Sequence, residues 1–124
     1  MAKLIFNYPF METEYLLDKS KNKVDVGRVN TNDIAIPDYK LFKAISPVSQ
    51  RMLINDLTKV SRVHARLTYR NEDNSWYIED TGTRGLGSNY GTFVGDARLE
   101  VKKPYKLTDN DKIKFGPIEC TFSE

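Results

Sequence analysis

The chain has 124 residues, 40% of them hydrophobic and 29% charged, and a formal net charge of +2. That length suits a single domain, expected over residues 1–124, with enough chain to bury a core of its own. The charge is too small to imply nucleic acid by itself, and no apolar run approaches the roughly 18 residues of a membrane span.

Leu4-Ile5-Phe6 is too short for a signal-peptide core, so an intracellular protein, cytoplasmic or nuclear, is expected, without a membrane partner. Cys120 is the one cysteine and cannot form an internal disulfide. Its place in an alternating stretch predicts a buried structural thiol, and no metal, redox centre or cofactor is expected.

In chain order, Ala2 to Tyr8 predicts a first strand with Leu4, Phe6 and Tyr8 on one face, ended by Pro9. Tyr15 to Leu17 is a weaker second strand. Asp18 to Lys23 is a polar turn, and Val24-Asp25-Val26 resumes alternation before stopping at Gly27-Arg28. Glycine there suggests a backbone bend that a side chain would obstruct, with Arg28 projecting from a strand end. Ile34-Ala35-Ile36 is a short strand. Residues 39–58 do not alternate; Ser46-Pro47 resembles a helix cap, and Val48, Met52, Leu53 and Leu57 fit one side of a short helix, the only one expected.

The cleanest strand runs from Val63, with Val63, Ala65, Leu67 and Tyr69 on a core face and His64, Arg66, Thr68 and Arg70 on a water face. Ser61 and Arg62 then belong to the loop that feeds it, where a rigid scaffold can present a hydroxyl and a guanidinium to an anion. Asn71 to Asn74 is a turn and Trp76 to Asp80 the returning strand of a hairpin. Thr81 to Tyr90, with Gly82, Gly85 and Gly87, is a sharply turned loop. Gly91 to Val94, an interrupted stretch from Leu99 to Leu107, Ile113 to Phe115 and Ile118 to Phe122 supply the remaining strands. Many short strands with turns between them predict an all-β fold, an antiparallel β-sandwich. Loops of a sandwich cluster at its two ends, so those at Gly27-Arg28, Ser61-Arg62 and Ser88 to Thr92 can meet.

Gly27-Arg28, Ser61-Arg62-Val63-His64-Ala65, Ser88-Asn89-Tyr90-Gly91-Thr92-Phe93-Val94 and the run from Leu107 to Gly116, in this order with strands between them, resemble the forkhead-associated (FHA) domain, a phosphothreonine-binding β-sandwich family. The resemblance covers the chain from Ala2 to Phe122. It implies a non-enzymatic interaction module that binds a threonine-phosphorylated protein or peptide, placing a serine/threonine kinase upstream.

It assigns phosphate or phosphopeptide contacts to Arg28, Ser61, Arg62 and Asn89. A dianionic phosphate suits such donors. Tyr90, Arg84 and Lys59 are expected to contact flanking peptide. Gly27, His64, Gly91 and Thr92 are expected to support the site loops. The sequence departs from the family at Tyr90, where asparagine is usual and holds the peptide backbone; tyrosine lacks the amide's paired donor and acceptor. It also carries extra residues at about 39–58 and 83–87. Those departures leave an alternative, a phospho-independent scaffold. Nucleic-acid binding through Arg66 and Arg70 is the less favoured third reading, without a recognition helix or stacking motif. Ser61 and His64 as nucleophile and base lack an acidic orienter nearby in sequence.

Overall fold

The computed structural model describes residues 1–124. Its strands are β1 (Lys3–Phe6), β2 (Glu14–Leu16), β3 (Lys23–Gly27), β4 (Ile34–Ala35), β5 (Ala65–Arg70), β6 (Ser75–Asp80), β7 (Thr92–Val94), β8 (Ala97–Arg98), β9 (Tyr105–Lys106), β10 (Lys112–Phe115) and β11 (Ile118–Ser123). Two helices, α1 (Tyr39–Lys43) and α2 (Pro47–Leu57), lie between β4 and β5. A six-stranded sheet runs β2-β1-β11-β10-β7-β8 and a five-stranded one β4-β3-β5-β6-β9. All pairings between these strands are antiparallel except the short parallel β3 to β4 contact, and an isolated parallel bridge joins Asp80 to Val101. This is the β-sandwich that the strand pattern predicts.

Period-two patterning fixes register because a slip of one residue would turn every core side chain to water. In β5, Ala65, Leu67 and Tyr69 are buried while Arg66 and Thr68 are half-exposed. The hairpin partner β6 buries Trp76 and Ile78 opposite, in the register Leu67↔Ile78 and Tyr69↔Trp76. From the other sheet come Leu4, Phe6, Ile113, Phe115, Ile118, Cys120 and Phe122. Cys120 is free and buried, and burial pushes its thiol pKa up, which suits a packing role rather than reactivity.

Residues 39–58 hold two helices where the sequence predicts at most one. Asp38 caps α1 by accepting from the Leu41 amide at 3.1 Å. Ser46 caps α2 in the same way from Ser49 at 3.2 Å, followed by Pro47. The expected apolar side of α2 is only half realised. Leu57 is buried and Leu53 packs against the core, whereas Val48 and Met52 are exposed. No helix is long and apolar enough to cross a membrane.

Candidate functional site

The local frame is a set of backbone hydrogen bonds at one end of the sandwich. The chain leaving β3 runs beside the chain entering β5, with the Arg28 amide donating to the Ser61 carbonyl at 3.0 Å and the Val29 amide to the Arg62 carbonyl at 3.3 Å. This approach explains Gly27, which lies at the end of β3. A Cβ on it would sit 2.4 Å from the Arg62 carbonyl oxygen. Asn32 clamps the same pair of loops, its Nδ2 donating to the carbonyls of Val29 at 2.7 Å and Arg62 at 2.8 Å.

His64 joins these loops to the opposite sheet. Strict alternation puts it on the water face, yet it is fully buried. The regular strand begins only at Ala65, so His64 stands in the irregular lead-in and turns under the loops instead. Its Nδ1 accepts from the Ser61 amide at 3.0 Å, which leaves Nε2 to carry the hydrogen and donate to the Gly91 carbonyl at 2.9 Å. The ring packs edge-on against Phe115 at 5.8 Å. With both nitrogens engaged by backbone, the imidazole is a brace and has no free base for Ser61.

Burial holds the His64 pKa below its ordinary 6.5, opposed in part by the Gly91 hydrogen bond and by the charge of Asp80. The unfolded chain therefore takes up this proton at a higher pH than the folded one. Stability from His64 is present above about pH 6.5 and is lost as pH falls below it. Urea midpoints measured from about pH 7.5 to 5 are expected to decline, and to decline less in His64→Gln.

A second brace comes from Asp80. Trp76, Ile78 and Asp80 share the inward face of β6, so alternation carries a carboxylate into the interior at the strand's end. It accepts from the Thr92 hydroxyl at 2.9 Å and from the Ser88 amide at 3.2 Å. Ser88 Oγ in turn accepts from the Gly91 amide at 3.0 Å. Gly91 has φ +88°, a conformation that L side chains rarely adopt, and it aims its carbonyl at His64. The Val63 amide donates to Thr83 Oγ1 at 3.2 Å, tying the glycine-rich loop to the segment that enters β5.

Above this frame lies an open cleft of about 410 Å³. It gathers all seven residues expected to face a ligand: Arg28, Lys59, Ser61, Arg62, Arg84, Asn89 and Tyr90. Gly27, His64, Gly91 and Thr92 are buried and do not line it. The half-buried Arg28 is oriented by Nε donating to the Val60 carbonyl at 3.0 Å, which leaves its terminal nitrogens for a ligand. Ser61 Oγ is 3.4 Å from the Asn89 amide, linking two of the loops across the cleft. The Lys59 ammonium stands over the Tyr90 ring, 5.8 Å from its centroid.

Thr58, Thr83, Leu86 and Gly87 also line the cleft; the sequence places them in its two extra segments without assigning any of the four a ligand contact of its own. For Asp80, the spacing from Trp76 and Ile78 carries the signal. For Thr83, a hydroxyl between two glycines is the only hint. The basic strand face is otherwise occupied. Arg66 pairs with Asp25 at 2.8 Å, and the Arg70 guanidinium lies 4.0 Å from the Tyr77 ring centroid.

The model of the FHA domain matches residues 24–116. A Caenorhabditis elegans protein called germ layers disorganized is 31% identical over 90 residues, which is 73% of this chain and 8% of that protein. The chain thus spans a small part of that relative's length. The FHA domain of CT664 from Chlamydia trachomatis aligns at TM-score 0.69 with 22% identity, covering 99% of this chain and 96% of the other. The MEK1 FHA domain, solved with the HOP1 pThr318 peptide, aligns at TM-score 0.61 with 20% identity over 98% and 94% of the two chains. At these identities the structural likeness is one of fold.

Proposed function

The chain belongs to the FHA-domain family, and from that premise we propose that it binds threonine-phosphorylated peptides through the cleft between its site loops, reading the product of a serine/threonine kinase. One observation carries the proposal: Arg28, the adjacent pair Ser61 and Arg62, and Asn89, supplied by three loops, line one open cleft that has no acidic residue in its wall. A phosphothreonine brings about −1.5 to −2 charges and oxygen acceptors in need of donors. Charge-assisted hydrogen bonds from Arg28, with the Ser61 hydroxyl and the Asn89 side chain, answer that need. The peptide complex of the MEK1 FHA domain is consistent with such a ligand.

In this reading Lys59, Arg84 and Tyr90 meet residues beside the phosphothreonine, while Gly27, His64, Gly91 and Thr92 hold the loops. The work is recognition, and no bond is made or broken.

Fluorescence anisotropy against peptide pools with a fixed central phosphothreonine, phosphoserine or unmodified threonine tests the reading. Binding is expected for the phosphothreonine pool above the other two. Ser61→Ala is expected to weaken it by about 1 kcal/mol, roughly fivefold, for one lost hydroxyl hydrogen bond. Equal binding of all three pools by folded protein would favour a phospho-independent scaffold. Tyr90, exposed in the cleft wall where the family usually has asparagine, is the observation that favours that second reading.

A further inference from the structure

We propose that the cleft selects a polyanionic phosphopeptide, one in which a second anionic group, a carboxylate or another phosphate, flanks the phosphothreonine and is held by Lys59 and Arg84. This rests on the phosphothreonine reading and goes further by naming the chemistry around the phosphate.

The argument is one of charge. Four cations, Arg28, Lys59, Arg62 and Arg84, line the cleft, and its wall contains no aspartate or glutamate. None of the four takes part in a salt bridge. The chain as a whole is nearly balanced, with 19 basic and 17 acidic residues, so this local excess is not a by-product of a basic protein. Like charges crowded at one place raise the energy of the empty site through mutual repulsion, and an anion of matching charge relieves it. A single phosphate supplies at most about two negative charges. Arg28, already aimed by Val60, and its neighbour Arg62 are enough to match that.

Lys59 and Arg84 are then left over, and they reach the cleft from different elements. Lys59 follows α2, whereas Arg84 stands in the glycine-rich loop between β6 and β7. Lys59 is steadied by the face of Tyr90, which positions an ammonium without neutralising it. A nucleic-acid strand also presents repeated anions, but the sheet face that would extend a basic track is interrupted at Arg66, which is paired with Asp25. The neighbouring hollow sets its cations, Arg66 and Lys102, beside Asp25 and Glu79, so the acid-free cluster of cations is a feature of the cleft itself, at the scale of a short peptide.

The test compares peptides of one length with a central phosphothreonine and flanks that are neutral, rich in Asp and Glu, or bearing a second phosphoserine. Titrations are run at physiological salt, beside the unphosphorylated acidic peptide and a thymidine oligonucleotide of equal charge. One or both anionic flanks are expected to raise affinity about three- to tenfold over the neutral flank, as two partly exposed ion pairs can. Which flank gains more distinguishes carboxylate from phosphate as the second group. In Lys59→Ala/Arg84→Ala the ratio of anionic-flank to neutral-flank affinity is expected to fall towards one. In Lys59→Arg/Arg84→Lys, which keeps both charges, the ratio is expected to persist.

Phosphothreonine-dependent binding with no gain from either anionic flank overturns this inference and leaves the phosphothreonine reading standing. An oligonucleotide that competes as well as the best peptide also overturns it. If the acidic peptide binds equally with and without its phosphate, or no peptide binds, both fall.

Discussion

In Arg28→Ala, affinity for a phosphothreonine peptide is expected to drop by about 1.5 to 3 kcal/mol, tenfold or more, the worth of a hydrogen bond to a charged group. The loss is expected with little change in urea midpoint, because Arg28 is half-buried and makes one side-chain hydrogen bond within the fold. Calorimetric titration and denaturation of the same sample separate the two effects. Arg28→Lys is expected to recover only part of the affinity. Lysine keeps the charge but lacks the Nε that donates to the Val60 carbonyl and the planar fork that faces two phosphate oxygens together. If Arg28→Ala binds as the parent does, phosphate is not being read at this position, and the scaffold reading gains.

Gly27→Ala is expected to damage stability and binding together. The added carbon would lie 2.4 Å from the Arg62 carbonyl oxygen and 2.9 Å from the Arg62 carbonyl carbon. Both contacts are with backbone, so a side-chain rotation cannot relieve them. The chain leaving β3 must instead move away from the chain entering β5, stretching the Arg28 to Ser61 and Val29 to Arg62 hydrogen bonds. A cost of about 3 kcal/mol is expected, the upper end of what overpacking a close-packed site brings. The movement also separates Arg28 from Ser61, so peptide affinity is expected to fall even where the variant remains folded. A urea midpoint unchanged from the parent would show that the loops accommodate the methyl group.

The sheets were legible because their signal is strictly local. Trp76 and Ile78 on one strand, and Ala65, Leu67 and Tyr69 on another, announce an inward face through a period of two that needs no knowledge of the rest of the chain. The site loops were legible for a different reason: the order of their short motifs resembles that of a known family. What alternation could not convey was where it stops. His64 continues the pattern of Arg66 and Thr68 in sequence, but it precedes β5 and is covered by loops that arrive from distant parts of the chain.

Val48 and Met52 erred in the opposite direction. They are apolar at helical spacing, yet α2 rests on the core through Leu53 and Leu57 and leaves them exposed. The extra helix α1 had a local signal in Asp38, which also reads as a turn residue after Pro37. Only the amide of Leu41, brought within 3.1 Å, decides between the two. Asp80 was read as the last residue of a strand, because a buried carboxylate makes sense only once Ser88 and Thr92 are in place to satisfy it.

The carbonyl of Gly91 accepts two donors, Nε2 of His64 and the amide of Gly116, which follows β10. His64 leads into the five-stranded sheet, whereas Gly91 and Gly116 belong to the margins of the six-stranded one. One oxygen thus fastens the two layers together directly beneath the cleft. The donors above it are divided in the same way, with Arg28 and Ser61 beside one layer and Asn89 and Tyr90 where the chain crosses to the other. A ligand gripped from both sides resists sliding of the layers past each other. Amide exchange at Ser61, Gly91 and Gly116 is therefore expected to slow together on peptide binding, as one mechanical unit, although Gly116 does not line the cleft.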